Sequence, residues 1–224
     1  MKKLLTIAAL VVSATTSQAQ VKEGTVTYSM EFQGLPAEAA SMMGNMETKV
    51  YFKKDKSLSE VTTGMGTTKV LVDNKGTLTL IDQMGQKMYM KTSAADLEKQ
   101  QKDVAAPKIE YTNETKQVAG YDCKKAIITL HIKDEDVKTE VWYTDKIVSS
   151  AMGKSKEAAM FKGLKGFPLE YEIVQGQLKI KMTAKEVSTA AVQDNLFALS
   201  TEGFTELTQD DLKKMQGGGD AGGE

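Results

Sequence analysis

The chain has 224 residues, of which 41% are hydrophobic, and its formal net charge is −1 at neutral pH. Such a charge provides no basic field for nucleic acid or an anionic membrane, so we expect neither as a partner. The length suits one domain with a sizeable core, and no internal apolar run is long enough to span a membrane.

The N-terminal residues have the pattern of a cleavable secretory signal. Lys2–Lys3 form a positive region, Leu4–Val12 form an apolar run, and Ser17 and Ala19 supply the small side chains needed for cleavage after Ala19. The apolar run is shorter than the roughly 20 residues of a membrane span, which disfavours the alternative of an N-terminal anchor. We therefore expect a periplasmic or secreted protein that begins at Gln20 after signal-peptide residues 1–19 are removed.

The first half of the mature chain is predicted to form strands. Its segments are rich in β-branched and aromatic residues, and several alternate apolar with polar residues. Closely spaced turn signals separate them, which indicates antiparallel hairpins because parallel crossovers need longer connections. The predicted strands are Thr25–Phe32, Thr48–Phe52, Leu58–Val61, Thr68–Val72 and Thr77–Ile81.

The second half continues the strand pattern. About ten or eleven strands in all exceed what a flat sheet carries, so we predict a mainly β fold, either one curved antiparallel sheet or a half-open barrel. Residues 20–215 are expected to form a single domain, and the glycine-rich tail 216–224 is expected to be disordered. The later strands are Lys108–Lys116, Lys124–Lys133, Lys138–Thr144, Leu169–Val174 and Leu178–Val187, and the short predicted helices are Ala37–Met46, Ser93–Lys102, Lys154–Phe161 and Gln209–Met215.

No catalytic or metal site is predicted. Cys123 is the single cysteine, and as a nucleophile it would need His131, the single histidine, as its base. On one strand these residues lie roughly 26 Å apart, so the nucleophile and the base could not make contact. The segment at Gly120 is better interpreted as a hairpin turn. A metal site would need further histidines or clustered carboxylates. We therefore predict a protein that is not an enzyme and has no cofactor.

Methionine is unusually frequent, with 13 residues in the chain. Thioethers can coordinate Cu(I), line a pocket that adapts to apolar ligands, or fill gaps in an ordinary core. We take Met84, Met88, Met90 and Trp142 as candidates for lining an apolar groove. Met88 and Met90 share one face of their strand, and Tyr89 takes the other with Lys87 and Lys91.

Three segments together carry a resemblance to a known family. They are Lys116–Ala126 (KQVAGYDCKKA), Val141–Thr144 (VWYT) and Gly163–Glu170 (GLKGFPLE). In order and spacing they resemble a family of exported Gram-negative proteins of unknown function that is grouped with the periplasmic lipoprotein carriers. The resemblance implies a half-open antiparallel barrel that holds acyl chains in an apolar groove. Those carriers gate their lid with an arginine, and this chain contains no arginine.

The leading functional hypothesis is a non-enzymatic periplasmic binding protein whose concave face holds a lipid, an acyl chain or another apolar ligand. The alternatives are an envelope interaction or scaffold protein whose interior is filled with side chains, and a protein that handles copper or another metal. Possible partners are thus a lipid or acylated ligand and an envelope protein.

Overall fold

The computed structural model describes residues 20–34, 46–102, 105–132, 135–155, 158–175, 178–208 and 211. These residues form twelve strands of one curved, open sheet, and one α-helix, α1 (Ala94–Lys102). None of their helices is long and apolar enough to span a membrane. The strands are β1 (Glu23–Gln33), β2 (Glu47–Lys53), β3 (Lys56–Thr63), β4 (Gly66–Asp73), β5 (Gly76–Gln83), β6 (Gln86–Ser93), β7 (Lys108–Val118), β8 (Tyr121–Ile132), β9 (Glu135–Thr144), β10 (Phe167–Gln175), β11 (Leu178–Ser188) and β12 (Thr205–Glu206).

The strand order is β12-β6-β5-β4-β3-β2-β1-β11-β10-β9-β8-β7. Neighbouring strands are antiparallel except β12, which pairs in parallel with β6. The prediction of a mainly β protein built on one curved antiparallel sheet is therefore confirmed, and the sheet stays open rather than closing into a barrel. The two strands missing from the ten predicted segments are β6 and the two-residue β12, which has no strand pattern of its own.

Residues 189–204, called here the strap, connect β11 to β12 and cross one face of β1 to β5. Their buried side chains Val192 and Phe197 pack on Leu58 and Leu71 of that face. The strap is also tied by polar contacts, because Lys53 Nζ donates to the Val192 carbonyl at 2.7 Å and the Glu23 carboxylate accepts the Val192 N–H at 2.6 Å. This segment therefore seals an apolar patch on the sheet.

The connection between β9 and β10, residues 145–166, buries a separate cluster. Its Phe161 ring meets Tyr171 edge-on with centroids 4.9 Å apart, and Ala126, Ile128 and Val141 complete the cluster. Edge-to-face pairs of this kind contribute beyond their buried area. The connection thus holds β8, β9 and β10 in one packed unit.

The predicted helices have different outcomes. The helix after Ser93 is confirmed as α1, where the Ser93 hydroxyl accepts the Asp96 N–H at 3.1 Å as an N-cap. In place of a helix over Lys154–Phe161, the described residues show only a 3-10 turn, Ala159–Phe161. The signal peptide, the glycine-rich tail, and the helices Ala37–Met46 and Gln209–Met215, except for Met46 and Asp211, lie outside the described residues.

Replacing Leu58 by alanine should destabilise the fold through the strap. Leu58 is 1% exposed and lies between the sheet and the strap. Its truncation leaves a cavity, so we expect the free energy of unfolding to fall by about 2–5 kcal/mol in urea denaturation. Leu196→Ala is the control, because this exposed leucine of the strap should change stability by about 0.5 kcal/mol or less. Equal losses in the two variants would contradict the packing described.

Candidate functional site

Two rows of side chains cross β1 to β6 on the side opposite the strap. Paired residues in adjacent antiparallel strands point to the same side, so the register identifies the members of each row. We call this side the methionine face, after the residues at its β6 end. The first row is Tyr28, Thr48, Val61, Thr68, Ile81 and Met88, and the second row is Val26, Val50, Ser59, Val70, Thr79 and Met90.

Burial decreases along both rows from β1 to β6. Val26 and Tyr28 are fully packed in the core, whereas every row member in β3 to β6 is only half-buried. The next row on the same face is more enclosed, because its Phe52, Val72 and Thr92 are buried. The half-buried area is therefore bordered by core on two sides.

The chemistry of this area is apolar with interspersed hydroxyls. Val61, Val70, Ile81 and the two methionines alternate with threonine and serine across the strands. The four strands β3 to β6, which carry the half-buried members and are spaced about 4.8 Å apart, make this area about 14 Å long. An area of this length and composition can accommodate an extended aliphatic chain and offer hydroxyls to a few polar atoms.

The structure separates the four predicted groove residues. Met88 and Met90 lie in the two rows on the methionine face, and Tyr89 lies on the other face, where its hydroxyl donates to the Glu206 carboxylate at 3.0 Å. Met84 lies in the turn between β5 and β6 with a positive φ of 51° and is 83% exposed. It therefore does not line the face on which Met88 and Met90 lie.

Trp142 is likewise outside the proposed groove. It pairs with Lys125 of β8 and Glu170 of β10, and the Lys116 ammonium lies 4.4 Å from its ring centroid. The same ammonium contacts the Glu170 carboxylate at 2.8 Å, so the indole is part of a charged cation–π and ion-pair network. Alternation along β9 puts Tyr143 on the opposite side, where it packs with Val141. The expectation that Trp142 faces an apolar groove is corrected on this geometry.

A cavity of about 330 Å³ lies beneath the β9–β10 connection and was not predicted from the sequence. Ile147, Met152, Phe161 and Phe167 provide apolar walls, and the Gln20 side chain lies at its border, donating to the Asp145 carbonyl at 3.4 Å. The aromatic residues Phe161 and Phe167 are the signal that the sequence offers for this cavity. The cavity is separate from the methionine face because none of its lining residues belongs to β2–β6.

Cys123 and His131 do not form a catalytic pair in this structure. Cys123 is fully buried, and its burial raises the pKa of the thiol to about 11. A thiol with this pKa is protonated at neutral pH and is a poor nucleophile. His131 instead contacts Asp136 at 3.0 Å between two exposed side chains. Across the part of the chain that the structure describes, no group of three or more histidine, cysteine, aspartate or glutamate side chains could hold a metal ion.

An open curved antiparallel sheet with one half-buried apolar face is thus the architecture that the described residues define. The family model "Domain of unknown function (DUF4412)" matches residues 32–202, and the chain belongs to this family.

Among solved structures, the chain is similar to one titled "Structure of PNGF-II in C2 space group", with 15% identity and a TM-score of 0.51 over 86% of this chain. The chain spans about a third of that protein, as 32% of it is covered, and the likeness concerns the fold. LprF from Mycobacterium bovis matches with 14% identity and a TM-score of 0.32, over 76% of this chain and 88% of that protein. The search of curated proteins gave no match.

Cys123 should resist alkylation in the folded protein. Burial blocks access of the reagent to the thiol. The pKa of about 11, which lies above the ordinary value, also keeps the thiol protonated, and only the thiolate is reactive. We expect iodoacetamide at pH 8 to modify the protein only after unfolding in guanidinium, as followed by intact mass. Complete modification of the folded protein at that pH would show that the thiol is accessible and contradict the packing.

Proposed function

We propose that the protein is a non-enzymatic binding protein that holds an acyl chain or another apolar ligand on the methionine face. The observation that carries this proposal is the half-buried state of both rows in β3 to β6. Aliphatic side chains in these rows are left partly in contact with water, although the other side of the same strands is covered by the strap. A ligand that covered them would remove apolar surface from water, which is favourable.

The energetics are sufficient for a useful affinity. Each methylene group that is buried contributes about 0.8 kcal/mol, and micromolar binding corresponds to about −8 kcal/mol. Ten or more buried methylenes, roughly those of a fatty acyl chain, would therefore reach this range before the costs of association are subtracted. An extended acyl chain thus suits the roughly 14 Å length of the half-buried area better than a small compact ligand does.

Methionine at the open end of both rows also fits this function. Met88 and Met90 have flexible, polarizable side chains that adapt to ligands of differing shape. Valine and isoleucine, which are stiff at χ1, occupy the middle of the rows instead. The arrangement combines a rigid floor in β3 to β5 with an adaptable border at β6, which favours tolerance of chain length over recognition of one compound.

The proposed compartment is the periplasm or the exterior of the cell. It is supported by the charged, apolar and small-residue pattern that precedes Gln20. In such a compartment a carrier of apolar molecules would act between membranes or at a membrane surface. The ligand source that this implies is a lipid or an acylated molecule.

Bulky substitutions on the methionine face should weaken ligand binding without unfolding the protein. We expect a fluorescent fatty acid to bind the wild type with micromolar or tighter affinity, and Met88→Trp or Met90→Trp to weaken binding at least fivefold because the indole fills the open rows. Half-buried positions tolerate the added volume, so the thermal midpoint should stay nearly unchanged. The measurement is fluorescence titration alongside thermal denaturation.

Lys91→Trp is the matched control, because Lys91 lies on the same strand and the opposite face. It should leave fatty-acid binding unchanged. The proposal fails if the wild type binds no apolar probe and the methionine variants unfold, since the two residues would then be packed core. The envelope scaffold hypothesis would replace it.

The export proposal predicts the mass of the mature protein. Intact-mass analysis of the periplasmic fraction should give a chain that starts at Gln20, because signal peptidase cuts after Ala19 in the small-residue motif. A soluble cytoplasmic product that still carries Met1 is the result that would refute it.

A further inference from the structure

The hairpin turns at the two ends of β2 to β6 differ in chemistry. At one end, the β2–β3 turn contains Lys54 and Asp55, and the β4–β5 turn contains Asn74 and Lys75. At the other end, the β3–β4 and β5–β6 turns present methionines. Consecutive antiparallel hairpins alternate between the two ends of a sheet. The strands β2 to β6 therefore have a polar end, with the β2–β3 and β4–β5 turns, and a methionine end, with the β3–β4 and β5–β6 turns.

The two methionines at this end are Met65 and Met84. They are adjacent in space, since the Met84 N–H donates to the Met65 carbonyl at 3.0 Å across the neighbouring turns. Met65 is 39% exposed and Met84 is 83% exposed, which makes Met84 the most exposed large hydrophobic side chain of the described residues. Exposed apolar side chains that cluster in this way mark interaction sites more often than isolated ones do.

The turn itself does not require methionine at position 84. Met84 has a φ of 51°, a left-handed conformation that Asn and Gly adopt at lower cost than a bulky residue does. Its side chain therefore contributes neither a preferred backbone conformation nor buried contacts to the hairpin. A role in binding another molecule would account for a methionine that neither favours the turn conformation nor packs in the core.

The methionine end adjoins the methionine face. One short row, made of Thr63, Gly66, Gln83 and Gln86, separates the turns from the row that ends in Met88. Met88 lies four residues from Met84 along the chain. A molecule that left an apolar phase in contact with Met65 and Met84 would thus cross this short polar row before it met the half-buried rows. This proximity relates the turns to loading and release of the ligand.

We propose that Met65 and Met84 dock the protein on the surface of a phospholipid bilayer. Two side chains offer only a small part of the roughly 800 Å² per partner that a stable protein interface needs, so shallow insertion between lipids fits them better than a protein partner does. The neighbouring Lys87 is paired with Asp82 at 3.5 Å, so the insertion rests on apolar contact rather than on charge. The inference rests on the proposed function in that the bilayer would supply the apolar ligand.

The test is flotation of the full mature chain with phosphatidylcholine vesicles. We expect the wild type to float with the vesicles equally at low and high salt, and the double variant Met65→Ser/Met84→Asn to lower the bound fraction at least fivefold. Asparagine suits the positive φ at position 84, so this variant should fold with an unchanged or raised thermal midpoint. Val148→Ser, at a residue that is 40% exposed and outside this end, is the matched control and should float as the wild type does.

The docking proposal is overturned if the wild type does not float, if the double variant floats equally well, or if high salt abolishes flotation. A measurement of fatty-acid binding in the absence of vesicles distinguishes a failure of the docking proposal from a failure of the proposed function. Fatty-acid binding by a wild type that does not float would refute docking alone, whereas turn-dependent flotation without fatty-acid binding would refute the ligand site alone.

Discussion

The unbroken antiparallel register from β1 to β6 is the constraint on which the candidate site depends. Pairing proceeds through β2, β3, β4, β5 and β6 without a bulge, whereas register shifts occur where β1 meets β11, β10 meets β9 and β7 meets β8. A slip of one residue would move every apolar side chain of a strand to its other face. The tight hairpins fix the register, and the register in turn brings side chains from six strands into two continuous rows.

Two long connections decide which surfaces of this sheet are covered. The strap seals Leu58 and Leu71 on one face of β3 and β4, and the β9–β10 connection packs Phe161 against Tyr171. The half-buried rows of the methionine face lie opposite the strap, and the half-enclosed cavity lies under the other connection. The two faces of β3 and β4 thus differ: Val192 and Phe197 complete a core on one side, while the apolar members of the rows stay half-buried on the other.

The strands were predictable from the sequence because alternation and short turn signals are local properties, as in Thr68–Val72 and Thr77–Ile81. Parity also predicted that Met88 and Met90 share a face. The orientation of Trp142 was not predictable, because parity says only that it opposes Tyr143, and the choice between faces depends on distant partners such as Lys116 and Glu170. The strap had no periodic pattern to reveal it, since Val192 and Phe197 act as single anchors in an irregular segment.

Nuclear magnetic resonance of protein labelled with ¹³C at the methionine methyl groups tests the central claim most directly. Five of the described methionines mark separate places: Met88 and Met90 on the methionine face, Met65 and Met84 in the exposed turns, and Met152 on the cavity wall. Titration with a fatty acid in the absence of membranes should shift the Met88 and Met90 signals in proportion to occupancy and leave Met152 unchanged. Shifts confined to Met152, with Met88 and Met90 unaffected at saturation, would place the ligand in the cavity and contradict the account.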